Sequence, residues 1–296
     1  MTIIGLKASC VVGFDGRQHV LWRDGQVVFE GSRILFVGRD YPGPVDQWID
    51  HGNALIGPGF IDLDALGDLD STVLTLDNGD EAQMGRMWSE QYLAAGPRES
   101  YSADEEVFKY RYAFTQLIRN GITTAIPITS MYYREWAETY EEFAAVAEVA
   151  IDLGLRTYLG PCYMSGMAYW RADGQLDHHW DEARGLAGLA AAERFFADFN
   201  GRHGDLIRGA LLPDRIQTCT PALLQRTAQL SRELNAPMRL HCCQSPSEYA
   251  MVQRLRGNSP LAWLQQLDLL TPRSLLPHGI YTSGDDDLQR VLDGGA

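Results

Sequence analysis

Residues 104–162 read DEEVFKYRYAFTQLIRNGITTAIPITSMYYREWAETYEEFAAVAEVAIDLGLRTYLGPC. Apolar residues recur at helical spacing over 104–119, and Gly121 stops the pattern. Residues 122–129 then read as a buried strand, residues 135–153 as a second helix closed by Gly154, and residues 155–162 as a second strand. Helix and strand in strict alternation predict a parallel sheet joined by crossover helices. The alternation continues outward. Downstream come a helix at 181–200, a strand at 206–212, a helix opened by Thr220 and Pro221 and running to 234, and a strand at 238–243. A helix at 260–267, a strand at 274–280 and a helix from 285 follow. Upstream, residues 58–66 (PGFIDLDAL) form a short apolar run with acidic residues set into it.

The expected fold is α/β, with six strands after residue 57. A closed (β/α)8 barrel needs eight strands and about 250 residues. The predicted architecture is therefore a TIM-type barrel with about six βα units present, its last strands lacking. An open doubly wound sheet is the alternative, although no glycine-rich phosphate loop follows any strand. Residues 1–57 are different: short runs punctuated by Asp15-Gly16, Asp24-Gly25 and Gly31-Ser32 predict hairpins and a partial β-sandwich. The expected organisation is thus 1–57 sandwich and 58–296 barrel.

Bulk properties narrow the partners. Of 296 residues, 45% are hydrophobic and 22% charged, as in a globular chain with a sizeable core. A formal net charge of −14 repels phosphate backbones and anionic lipid, so neither nucleic acid nor a membrane surface is expected as a partner. Five cysteines without a CxxC pair, no signal-peptide layout and no long apolar run point to a cytoplasmic, reducing location.

In a parallel barrel, side chains at the C-terminal ends of the strands converge on one mouth. Asp62 and Asp64 sit on the first strand, Asp214 and Arg215 follow the fourth, His241 ends the fifth and His278 ends the sixth. Imidazoles from neighbouring strand ends can share one ion. Neutral imidazole suits zinc, iron, cobalt or manganese, and an aspartate can add an oxygen ligand. Taken singly, each histidine reads rather as a hydrogen-bonded structural residue; at equivalent ends of neighbouring strands, the two together weigh evenly as ligands. Trp88, Tyr92, Tyr132, Tyr133, Tyr163, Tyr169 and Trp170 fall in or near βα loops, where they either shape a pocket for a flat substrate or pack. His178-His179 reads as a surface or capping pair. Asp285 to Asp287 read as a helix N-terminus. Cys242 and Cys243 alternate along their strand, so at most one faces the mouth.

Several of these stretches resemble the amidohydrolase superfamily, in the branch of triazine chlorohydrolases and amidine or nucleobase deaminases. GSRILFVG (31–38) is similar to a hairpin of the family's N-terminal sandwich, and LIGPGFIDL (55–63) to the entry of its first barrel strand. NGITT (120–124), RLHCCQSPSE (239–248) and LPHGIYTSGDD (276–286) resemble the second, fifth and sixth strands. The resemblance implies hydrolysis of a carbon–nitrogen bond other than a peptide, as in a cyclic amidine, or of a carbon–halogen bond of a small heterocycle. Water activated at a metal site attacks an electron-poor carbon. It implies His241 as a metal ligand, His278 as a ligand or a catalytic group polarising the water, and a divalent metal, zinc foremost.

The chain departs from the family pattern at three places. The two first-strand histidines are replaced by Asp64, which can offer an oxygen ligand, and Leu66, which cannot. The deaminase glutamate three residues after the fifth-strand histidine is Gln244, whose amide can bind a substrate but not shuttle a proton at neutral pH. The eighth-strand aspartate has no counterpart. The expected ligand set is Asp64, His241 and His278, with His278 and Gln244 as catalytic candidates and a small molecule as substrate. The competing expectations are a non-catalytic binding or oligomerisation relative and a fragment of a longer enzyme. Open strand edges predict a homo-oligomer or a poorly soluble chain.

Overall fold

The structure, a computed structural model, describes residues 2–67, 88–95, 101–128 and 138–296. It contains two compact units, Met1–Phe60 and Ile61–Ala296.

In the first unit, β1 (Ile3–Phe14) pairs antiparallel with β2 (His19–Glu30), and β2 pairs antiparallel with β3 (Arg33–Gly38). β4 (Gln47–Asp50) and β5 (Leu55–Ile56) both run parallel to β1. Asp15 makes the first turn by accepting the amides of Arg17 and Gln18 at 2.8 and 2.9 Å. The turn expected at Asp24-Gly25 does not form, because β2 runs straight through it. Asp24 takes a positive φ of 49° within the strand. A Cβ on Gly25 would lie 2.6 Å from the Cβ of Val11, so this glycine permits close approach of β1 rather than a reversal. Among the described residues the five strands form one sheet, a single layer.

The second unit alternates strand and helix as anticipated. Its elements are β6 (Phe60–Leu66), β7 (Trp88–Ser89), α1 (Glu90–Ala95), α2 (Ala103–Arg119), β8 (Ile122–Ile128), α3 (Tyr140–Leu153), β9 (Arg156–Leu159), β10 (Gly166–Trp170), β11 (Leu176–Trp180) and α4 (Glu182–Phe199). Then follow β12 (Ile207–Gly209), α5 (Pro221–Leu234), β13 (Met238–Arg239), α6 (Pro246–Arg256), α7 (Pro260–Gln266), β14 (Ser274–Leu275) and α8 (Asp285–Gly294). Capping chemistry fixes the helix starts. Ser102 and Glu105 form a capping box on α2, Thr139 caps α3, and Thr220 with Pro221 opens α5. Gly154 ends α3 in the left-handed conformation, as its position in the sequence predicts.

β12, β9, β8 and β6 lie side by side in that order, with β12–β9 and β9–β8 parallel. β13 and β14 form a parallel pair, which the Leu211–Met238 bridge ties to the end of β12. These six strands thus follow one another in sequence order, as a four-stranded sheet and a bridged pair. No closed ring is present among the described residues. One core, around Tyr110, Phe114, Phe143 and Phe195, fills the space between α2, α3, α4 and the sheet. A second, around Leu211, Leu223, Leu240 and Leu264, lies beneath α5 and α7. Gly160, just past β9, faces the carbonyl of Ala210 so closely that a Cβ would overlap it. Gly160→Ala is therefore expected to cost about 1–3 kcal/mol, measured by urea unfolding; an unchanged midpoint would show that the backbone there yields freely.

Several elements have no precursor in the predicted alternation: β7, α1, α6 and a hairpin. β10 and β11 form an antiparallel hairpin inserted between β9 and α4, and β7 adds to it in parallel. It carries Tyr169, Trp170 and the His178-His179 pair. The capping role considered for that pair belongs to Asp181, which accepts the amide of Arg184 at 2.9 Å. His178 stacks on Trp180, with centroids 5.1 Å apart and planes 7° from parallel. Burial and the nearby Arg254 guanidinium push its pKa down to about 4. The folded state then binds fewer protons than the unfolded chain between about pH 6.5 and 4. Its contribution is complete above that window and is eroded as pH falls through it, by roughly 1–2 kcal/mol after allowing for partial solvent contact. His178→Phe should flatten the stability–pH curve there; an unchanged slope refutes the assignment. Tyr163 is fully buried and bonds Thr227, so it packs rather than lines a pocket. Tyr132 and Tyr133, and the side chains of Trp88 and Tyr92, lie outside the described residues.

Candidate metal centre

Three of the predicted residues come together in the second unit. One donor atom each from Asp64, His241 and His278 lies within 4.8 Å of the others. β6 supplies Asp64, and the segments just after β13 and β14 supply the histidines. Parallel bridges from Arg215 to His241 and from Cys242 to His278 keep these segments in register beyond the formal strand ends. The imidazole centroids are 5.5 Å apart and tilted by 37°. His241 is buried and His278 is exposed.

His241 is held by its far nitrogen. Nδ1 lies 3.0 Å from the carbonyl oxygen of Asp214. A carbonyl only accepts, so Nδ1 carries the hydrogen, and in the neutral ring Nε2 carries the lone pair. Nε2 faces Asp64 Oδ1 at 3.2 Å. That oxygen is buried and has no hydrogen-bond partner. A cation held by both atoms would satisfy two acceptors that face each other at this distance. A proton is a poor candidate near neutral pH: burial lowers the pKa of His241, Arg215 and Arg239 push the same way, and Asp64 opposes without reversing them. Two imidazoles and a carboxylate are a fitting donor set for a divalent transition metal.

Burial pushes the carboxyl of Asp64 up, but His241, Arg239 and His278 outweigh it and hold the group below the ordinary carboxylate range. His278 is likewise lowered, by burial and by the charges of His241 and Arg215, so its ring is neutral near pH 7. Leu66, at the other first-strand position, is exposed and offers no ligand atom.

Gln244 lies on the turn after His241, and its Oε1 accepts from the guanidinium of Arg215. Asp214 is buried, with its carboxylate taking the hydroxyl of Thr218 at 3.1 Å, and Asp62 Oδ1 takes the amide of Asp64 at 3.1 Å. Cys242 and Cys243 are fully buried, and the hydrogen bond with Cys243 together with burial raises the Cys242 thiol well above its ordinary range, the reverse of nucleophile activation.

The sequence reading assigned no role to two residues that shape this centre. Arg239 is 4% exposed, donates to the carbonyls of Ile126 and Pro127 at 3.0 Å each, and approaches Asp64 Oδ1 at 3.7 Å. Its signal was available: a charged residue two positions before His241, on the same face of a buried strand. Glu248 is 3% exposed and bonds the turn after His241.

Comparison with known proteins identifies the family. The Amidohydrolase family matches residues 56–293. A 5-methylthioadenosine/S-adenosylhomocysteine deaminase of Pyrococcus abyssi is 26% identical over 282 residues, covering 95% of this chain and 59% of the relative. The chain therefore spans about three-fifths of that relative's length. Among solved structures, guanine deaminase from C. acetobutylicum with bound guanine superposes with a TM-score of 0.72 at 18% identity, covering 99% of this chain and 66% of that one. Atrazine chlorohydrolase from Arthrobacter aurescens TC1, complexed with zinc, gives 0.69 at 17% identity, covering 99% and 64%. The likeness to these structures establishes a shared fold, and with the family match spanning most of its length, the chain belongs to the amidohydrolase family.

Proposed function

We propose that the chain forms the metal-binding part of a hydrolase acting on a carbon–nitrogen bond of a cyclic amidine, or on a carbon–halogen bond, in a small heterocycle. The observation that carries this is the pair of facing acceptors, His241 Nε2 and Asp64 Oδ1, 3.2 Å apart with His278 beside them. A divalent metal bound there, zinc foremost, would supply Lewis acidity and a water ionised near neutral pH. Asp64 and His241 would be its fixed ligands. Exposed His278 would complete the set or, as a neutral ring, take a proton from the attacking water and return it to the leaving group. Gln244, with its oxygen committed to Arg215, would hydrogen-bond the substrate. Relatives named as adenosine-derivative deaminases and as an atrazine chlorohydrolase support this range of substrates.

We further propose that the β6–β8–β9–β12 sheet and the β13–β14 pair are part of a (β/α)8 barrel and that residues 1–57 belong to a β-sandwich. In this reading the exposed Phe60, Ile61, Leu63 and Leu66 of β6 and Ile280 and Leu292 at the other end are covered in the working protein, by further strands or by another copy. Among the described residues no helix is long and apolar enough to cross a membrane. A non-catalytic binding role is the second reading, favoured by Leu66 and by Gln244, which supply neither a ligand nor a shuttled proton.

Elemental analysis separates them. The catalytic reading expects about one divalent metal per chain after purification, with hydrolysis of an aminopurine nucleoside or chlorotriazine lost on chelation and restored by zinc. Turnover that persists without metal, or metal-loaded protein inert towards both substrate classes, overturns it.

A further inference from the structure

The buried carboxylate of Glu248 is aimed at backbone rather than at any ligand. Glu248 is the third residue of α6, whose N-cap is Ser245. In a capping box a glutamate at that position reaches back to the N-cap amide. Here it reaches further: Oε1 takes the amide of Cys243 at 2.6 Å and Oε2 that of Gln244 at 3.2 Å. Cys243 has a positive φ of 57°, costly for a residue with a side chain, so its turn needs outside support.

The same peptide segment serves the other histidine. The carbonyl of Cys243 accepts the amides of Ile280 and Tyr281, both at 3.0 Å, and that of Cys242 accepts Gly279 at 3.5 Å. These three amides directly follow His278, which itself has a positive φ of 77°. One short segment, two residues past His241, thus anchors both strained turns, and Glu248 is the buried side chain that fixes it.

We propose that Glu248 is a positioning residue that sets the separation of His241 and His278 by clamping the Cys243 peptide. The functional consequence rests on the metal-site reading above, whereas the geometric claim does not.

Both are tested in the full chain with Glu248→Ala and Glu248→Gln. Phe143→Leu, a packing change in the α2–α4 core, serves as a control for general destabilisation. The first readout needs no metal: imidazole NMR resonances. Those of His241 and His278 should move in Glu248→Ala, while those of His19 and His51 in the other unit stay in place. The second is titration with cobalt(II), followed by visible absorption. Glu248→Ala should weaken cobalt binding by about 10–100-fold, as loss of an orienting group beyond the ligands does. Glu248→Gln, which keeps one acceptor oxygen, should fall between, and it decides the matter if the alanine variant does not fold. The proposal is overturned if both Glu248 variants behave as Phe143→Leu does, losing melting temperature with imidazole resonances and cobalt affinity unchanged. A wild-type chain that binds no cobalt would sink the metal-site reading instead, and the resonances would still decide the role of Glu248.

Discussion

His241→Ala is expected to weaken metal binding by more than about 100-fold, beyond the loss typical of an orienting group outside the ligand shell. Hydrolysis should disappear with it. The ring sits between two fixed points, the Asp214 carbonyl behind it and Asp64 Oδ1 in front. Removing it leaves Asp64 and the exposed His278, a pair too few to exclude water from the ion. The fold should lose less than the site, because the ring's hydrogen bond to the Asp214 carbonyl contributes about 1 kcal/mol. Inductively coupled plasma analysis alongside thermal unfolding checks both halves. Metal retained at wild-type stoichiometry in His241→Ala would show that this cluster is not the site.

Arg239→Ala is expected to have the largest effect on stability, about 3–5 kcal/mol, the usual cost of breaking a buried charge pair from one side. Its guanidinium satisfies the carbonyls of Ile126 and Pro127 and faces Asp64. Truncation leaves two acceptors without their donor and Asp64 without its nearest permanent positive charge. Asp64 should then be easier to protonate. In the wild type its carboxyl is held below the ordinary range, so its stabilising contribution is complete above the unfolded-state pKa and fades as pH falls through the lower folded value. Losing Arg239 shrinks that shift and hence the acid-dependent part of the stability. Urea unfolding at pH 7 and at pH 3 measures both. A destabilisation under 1 kcal/mol, with an unaltered acid limb, would mean that the guanidinium is solvated in solution.

Because Asp64 has both Arg239 and the proposed metal position as neighbours, the guanidinium also tempers its charge. Arg239→Ala should accordingly bind a divalent metal no more weakly than wild type, provided that the variant is folded. The contrast with His241→Ala separates a ligand from a buried countercharge.

The sequence by itself determined much of the helix–strand order of the second unit. Helical spacing over 104–119, the stop at Gly121 and the left-handed Gly154 are local facts, readable because backbone propensity and capping act within a few residues. Motif order also pointed to the family, and to Asp64, His241 and His278. The same local logic failed at Asp24-Gly25, where a glycine that reads as a turn makes room for Val11 on the neighbouring strand. It also failed to foresee the β10–β11 hairpin, whose pairing is absent from the helix–strand alternation.

Only the tertiary structure decided which polar groups meet. That His241 offers Nε2 forward depends on a carbonyl 27 residues away, and that Asp64 has a guanidinium beside it depends on a strand far along the chain. Residue types and their spacing fix what each side chain can do. The distance and direction from which it meets its partners arise when sequentially remote strands are brought into register, and electrostatics and coordination depend on those two quantities.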